Sequence, residues 1–261
     1  MLLPDKGKPS KYSMIRKNYS IIIDNEMMTV RKLRNNLGFY SISNDGVIRE
    51  DEVVYDTDNN LLTGVGLILR KKITPKRVYF SLVRVNNLTD AYQLREKKSF
   101  LGECEREDNP SDFPVQIADA INNIFNNVFT INLVDIVKHS LPFISIGIGG
   151  NKYKIVSGTG YEVVATFENL NIRDYRTGKK GIKKIFSLEM EADPDYEKER
   201  EHILAVIERY CKELVPTSRN RFEIAEAVVK QRVVDKDAEK KKKKEEKAKK
   251  KAQKKAEQEE Y

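Results

Sequence analysis

The stretch Val54-Tyr55-Asp56-Thr57-Asp58, followed by Leu61-Leu62 and by Gly66-Leu67-Ile68-Leu69-Arg70, decides how this chain is read. In the run Gly66–Lys72, Ile68, Arg70 and Lys72 fall on one face of a strand, because alternate residues share a face. Arg77–Val85 reads as the next strand. Asp56, Asp58 and Asn60 alternate like calcium-loop ligands, yet no glycine or glutamate follows where such a loop needs them, so they read as turn residues. On the N-terminal side, Tyr19–Asp24 reads as a strand and Asn25–Leu37 as a helix stopped by Gly38. Asn44-Asp45-Gly46 reads as a hairpin turn between Phe39–Ile42 and Val47–Val54, since these residues tolerate positive φ. On the C-terminal side, Asp112–Val128 has Ile117, Ile121, Ile124 and Val128 at helical spacing. Strands are expected at Pro142–Ile148, Lys152–Val156, Tyr161–Phe167 and Lys184–Ala192. The glycine-rich Gly147–Lys152 lacks the spacing of a phosphate-binding loop and precedes no helix, so it reads as a hairpin loop. Helices Tyr196–Leu214 and Arg219–Val234 close the body, the second capped by Thr217 or Ser218. This order predicts an α+β fold with a largely antiparallel sheet.

Composition narrows the function classes. The 261 residues are 39% hydrophobic and 34% charged, enough for a core beneath a highly charged surface. No apolar run is long enough to span a bilayer and Met1–Tyr12 does not read as a signal peptide, so a cytoplasmic protein without a membrane span is expected. Cys104 and Cys211 form no CxxC, which argues against a disulfide scaffold or a structural zinc site. His139 and His202 are isolated, giving little support to a Cys/His or Ser/His/Asp enzyme. Of the net charge of +8, half sits in residues 235–261, where twelve lysines, including Lys240 to Lys244, face eight acids. That tail has helix-forming residues but no apolar stripe. It reads as a solvated helix or disordered tail, or as a basic arm for RNA or another anionic partner. The expected division is an N-terminal extension at 1–14, a domain at 15–234 and the tail at 235–261.

Several strands pair an apolar face with a polar one. Phe186, Leu188 and Met190 lie opposite Ser187, Glu189 and Glu191. Val163, Ala165 and Phe167 lie opposite Glu162, Thr166 and Glu168. Arg16, Asn18 and Ser20 lie opposite Tyr19, Ile21 and Ile23. Such faces are either the wet side of an antiparallel sheet or the polar lumen of a barrel. A lumen with both signs of charge would bind phosphate through its cations and metal through its carboxylates.

The run from Val54 to Arg70, the following strand, the late Ser187-Leu188-Glu189-Met190-Glu191, Glu168 after Val163–Phe167, and Pro216-Thr217-Ser218-Arg219 before a final helix resemble the CYTH domain, the triphosphate tunnel metalloenzymes. The resemblance spans residues 15–230 and implies an eight-stranded antiparallel β-tunnel, a closed barrel, with flanking helices. It implies a triphosphate-containing small molecule or polyphosphate as ligand, hydrolysed as by a triphosphatase, and Mg²⁺ or Mn²⁺ as cofactor. Glu189 and Glu191 would be catalytic and hold the metal with Glu168. Arg70, Lys72, Arg84, Arg95, Lys152 and Lys154 would bind substrate. The chain departs from the pattern at its opening: Arg16, Asn18 and Ser20 stand where the family has Glu, Glu and Lys, and Ile68 replaces an arginine. Three readings follow: an active metal-dependent hydrolase, a tunnel protein that binds a triphosphate without turnover, and a structural or RNA-associated protein acting through its tail.

Overall fold

The structure, a computed structural model, describes the backbone of residues 14–87, 93–105 and 133–230, with side chains except at 85–87, 93–102 and 105. The predicted helix Asp112–Val128 and the tail lie outside the described residues, as does the side chain of Arg95. The fold is α+β, with a mostly antiparallel sheet and a few helices. Its elements are β1 (Met14–Ile21), α1 (Glu26–Asn36), β2 (Ser41–Asp56), α2 (Leu61–Gly64), β3 (Leu67–Ile73), β4 (Arg77–Asn87), β5 (Gln93–Glu105), α3 (Leu133–Lys138), β6 (Leu141–Val156), β7 (Glu162–Asp174), β8 (Lys180–Glu191), α4 (Glu197–Tyr210), β9 (Leu214–Thr217) and α5 (221–230). The strand order is β5-β4-β3-β2-β6-β7-β8-β1-β9, and β1 also pairs with β5, Met14–Lys17 running against Gln93–Glu96.

Alternation gives this sheet two different faces. On one, Tyr19, Val163, Ala165, Phe167, Phe186 and Leu188 pack beneath α1 and α4. At the far end of the same face, Val53, Tyr55, Leu69 and Phe80 pack with Leu62 of α2 and Val137 of α3. The other face carries α5: Phe222, Ile224, Ala225 and Val229 bury against Ile68, Val83, Ile144, Ile146, Leu170 and Ile185. A side chain at Gly181 would clash there, because its Cβ would stand 2.3 Å from Val228 Cγ1.

Two expected loops are strand interior instead. Asn44-Asp45-Gly46 is no hairpin turn: β2 runs through it, paired with β6 on both sides, with a register shift between Asn44 and Gly46. Gly46 spends its φ of +109° on that bulge, its N–H donating to Asn44 Oδ1 at 2.8 Å. Likewise Gly147–Lys152 is not a hairpin loop but the middle of the sixteen-residue β6. A Cβ at Gly150 would sit 1.8 Å from the carbonyl oxygen of Phe167, so glycine here serves close approach between strands. The cap of α5 is also corrected. Asn220, not Thr217 or Ser218, makes a capping box: Glu223 N donates to Asn220 Oδ1 and Asn220 N to Glu223 Oε2.

The stretch that opened the reading owes its shape to Asp56, which is fully buried. Its carboxylate accepts from the N–H groups of Thr57, Leu62 and Thr63 and from the Thr63 hydroxyl. Asp56 is thus the turn residue expected, closing the loop that leads through α2 into β3.

Candidate functional site

The α5 face is where the charged residues of the sequence reading meet. On β1, Arg16 sits opposite Glu189 of β8, which in turn sits opposite Val164 of β7. Arg16 Nη1 lies 2.5 Å from Glu189 Oε1, and Nη2 lies 2.8 Å from Glu168 Oε1 and 3.0 Å from Ser187 Oγ. Its Nε donates to Asn18 Oδ1. One guanidinium therefore cross-links two of the three carboxylates expected to hold a metal.

Two participants had escaped the sequence reading. Glu52 of β2, buried, and Arg221 of α5, partly buried, both belong to this network. Arg221 Nη1 lies 2.5 Å from Glu52 Oε1, while its Nε and Nη2 donate to Glu168 at 2.9 and 2.8 Å. Arg70 Nη1 approaches Glu52 Oε1 at 3.5 Å, and its buried Nε has no hydrogen-bond partner. The cluster thus sets three arginines, Arg16, Arg70 and Arg221, against three glutamates, Glu52, Glu168 and Glu189. For Glu52 the only signal was alternation, which puts it with Glu50 on the face of Val54. Arg221 had no comparable signal, since nothing local says on which sheet face α5 docks.

Burial pushes the Glu52 carboxyl up, but Arg221 and Arg70, then Lys72 and Arg16, outweigh it and hold it down at about 2. Glu168 is lowered on the same balance, burial opposing and Arg221, Arg16 and Thr166 prevailing. For Arg221, burial disfavours the charge, yet Glu168 and Glu52 hold it raised. All three groups are charged at neutral pH.

The remaining expected residues divide. Lys72 shares the face of Arg70 and pairs with Glu50 at 2.8 Å. Lys152 pairs with Asp45 at 2.7 Å and Lys154 with Glu162 at 2.9 Å. Lys154 stands in register with Val164, and so in the row of Glu189 and Arg16, and Lys152 with Thr166 in the row of Ser187 and Asn18; the Glu52 end of the cluster is farther, six residues or about 20 Å separating Lys152 from Ile146, the partner of Glu52. Arg84 is not brought to the site. Val83 packs on the α5 face, and Arg84 points to the other side with Phe80 and Leu82. The backbone of Arg95 pairs with Ile15 and Asn86. Glu191 continues the face of Glu189, and its carbonyl accepts from Tyr161 and Arg200.

These donors do not suit a divalent cation. Glu168 is spent on Arg16, Arg221 and Thr166, and Glu189 on Arg16. Among the described residues no group of three or more His, Cys, Asp or Glu is arranged to hold a metal ion. Nor is any helix among them long and apolar enough to cross a membrane.

Comparison with known proteins gives these findings. No family model matches the chain, and no curated protein matches it. Among solved structures it is similar to a candidate adenylyl cyclase from Hippeastrum described as having a dominant triphosphatase activity, at 12% identity over 82% of this chain and 95% of that one, with a TM-score of 0.48. It is similar to the PH1819 protein of Pyrococcus horikoshii at 12% identity, 81% and 97% coverage and a TM-score of 0.47. A candidate adenylate cyclase from Bacillus halodurans follows at 12% identity, 81% and 96% coverage and a TM-score of 0.45.

Proposed function

We propose that the chain is a CYTH-like tunnel protein that holds a triphosphate or polyphosphate chain and does not hydrolyse it by a metal-dependent route. The observation that carries this reading is Arg16 bridging Glu168 and Glu189. A guanidinium built into β1 supplies the positive charge that Mg²⁺ or Mn²⁺ would otherwise bring to these carboxylates. Unlike a metal ion, it cannot acidify a bound water.

Two features support a tunnel. The pairing of β1 with β5 as well as β8 joins members from the two ends of the strand order. Arg16 and Glu52 stand four strands apart, about 19 Å on a flat sheet, yet Glu168 and Arg221 link them through three successive ion pairs. Both features favour a sheet that curls around its α5 face. Phosphate would be held by exchange: an anionic chain draws Arg70, Lys72, Lys152 and Lys154 from their single carboxylate partners. Each charge-assisted hydrogen bond is worth roughly 1.5–3 kcal/mol.

The test is phosphate release from tripolyphosphate, ATP and a triphosphorylated RNA end, with Mg²⁺ and with Mn²⁺, beside calorimetric binding. The reading expects binding that Arg70→Ala weakens about tenfold to a hundredfold, and no release above background. Metal-dependent turnover that disappears in Glu189→Gln would sink it. A second reading has one observation in its favour: Lys72, Lys152 and Lys154 are each already neutralised by a carboxylate. On that reading the body is a scaffold, and calorimetry finds no triphosphate binding.

A further inference from the structure

Every cation on the α5 face named above has a carboxylate partner. On the other face, Arg49 and Arg173 have no carboxylate partner among the described residues. Between the part of that face covered by α1 and α4 and the part covered by α2 and α3, a strip of β2, β6 and β7 is bare. Along it β6 presents only Ser145, Gly147 and Gly149, and a Cβ at Gly149 would meet open space. The strip is therefore a shallow trough, about 10 Å across from β2 to β7. One wall holds Arg49 and Asp51 of β2, and the other Asn169, Asn171 and Arg173 of β7, all exposed.

The side chains of Arg49, Arg173 and both asparagines make no hydrogen bond or ion pair among the described residues. Arg173 lies 5.1 Å from the ring of Tyr175, whose relative exposure is 44%. Asp51 is the one carboxylate in the trough, its Oδ1 lying 3.2 Å from where a Gly147 Cβ would stand. Beyond the β7 wall, Lys180 and Lys184 of β8 pair in register with Arg173 and Asn169, Lys184 being engaged by Asp24.

We infer that this trough binds single-stranded nucleic acid. Two guanidiniums at opposite corners, about 13 Å apart along the strands, suit non-adjacent phosphates of an extended chain, at least one nucleotide lying between them. The two amides between them can both donate to and accept from base edges. Tyr175 at the end of the row offers a ring for stacking. The missing side chains of β6 let the backbone of the ligand approach the sheet. A folded acidic partner would use the cations but leave the amide row and the glycine floor without a purpose. This site is on the opposite face from the proposed triphosphate site and does not depend on it.

The experiment uses the full chain and fluorescent 12-nucleotide single strands, RNA and DNA in separate arms, titrated at several salt concentrations. Arg49→Ala with Arg173→Ala should weaken binding at least tenfold and lower the salt slope by about 2. Gly149→Glu should weaken it likewise, whereas Asp51→Asn should tighten it severalfold. Thermal melts confirm that the variants remain folded. No binding by the wild type would overturn the proposal. So would an unchanged affinity and slope in the double arginine variant, which would place binding elsewhere on the chain. Tighter, arginine-dependent binding of a polyglutamate peptide would overturn it in favour of an acidic protein partner.

Discussion

Arg16 Nη2 lies 2.8 Å from Glu168 Oε1, an ion pair that joins β1 to β7 across the intervening β8. Both side chains are almost wholly buried, at 9% and 1% exposure. The second partner of Arg16, Glu189, is 43% exposed. The two contacts therefore differ in worth: an exposed pair contributes about 0–1 kcal/mol, whereas removing one partner of a buried pair costs about 3–5 kcal/mol.

Arg16→Met is accordingly expected to destabilise the fold by about 3 kcal/mol, near the lower limit because Glu168 keeps Arg221. In double-mutant cycles, Arg16 should couple more strongly to Glu168 than to Glu189. Urea denaturation measures both quantities. A loss below about 1 kcal/mol would mean that the pair does not hold these strands together.

Acid should unfold the protein through the same cluster. Glu52 and Glu168 have folded values below their ordinary value of 4.5, Glu52 down at about 2. Groups depressed in this way contribute stability that is full above the unfolded value and lost as pH falls toward the folded one. Stability should therefore decline from about pH 4.5 down to about 2. In Glu52→Gln the decline should be shallower, on a less stable protein. An identical slope in the variant would show that Glu52 takes no part in it.

Gly181 and Val228 form a reciprocal pair. Gly181→Ala should cost about 1–3 kcal/mol through overpacking against Val228 Cγ1. Adding Val228→Ala leaves only its Cβ, 3.7 Å from the new methyl, an ordinary contact. The double variant should then be more stable than Gly181→Ala alone. If the second change instead destabilises further, α5 does not sit against β8 as described.

Tyr19 presents the opposite case. Its hydroxyl is buried with no hydrogen-bond partner, and burial, with Glu208 and Cys211 adding, raises its pKa. Tyr19→Phe removes an unsatisfied polar group while keeping the ring packed at a tilt against Phe186. It should be neutral or stabilise by up to about 1 kcal/mol. A clear loss of stability would indicate a partner for that hydroxyl.

Alternation made much of this legible. It put Arg16, Asn18, Glu168, Ser187 and Glu189 on polar strand faces, and the structure brings those faces together. Where the reading stopped, the reason was pairing between strands. Gly46 and Gly150 carry turn chemistry, but their glycines serve a bulge and a close strand crossing, which only the β2–β6 and β6–β7 registers reveal. The partners of Lys72, Lys152 and Lys154 also follow from register, so their neutralisation could not be read from any one strand. Arg221 shows the same limit for a helix: a helix was expected over Arg219–Val234, but nothing in its sequence says that it seats an arginine between Glu52 and Glu168.

The central claim is that Arg16 stands in for a metal ion, and tripolyphosphate calorimetry in EDTA and then in Mn²⁺ tests it most directly. The account predicts binding in EDTA, with an affinity that Mn²⁺ does not raise. Binding that appears only with Mn²⁺, and vanishes in Glu189→Gln, would contradict it.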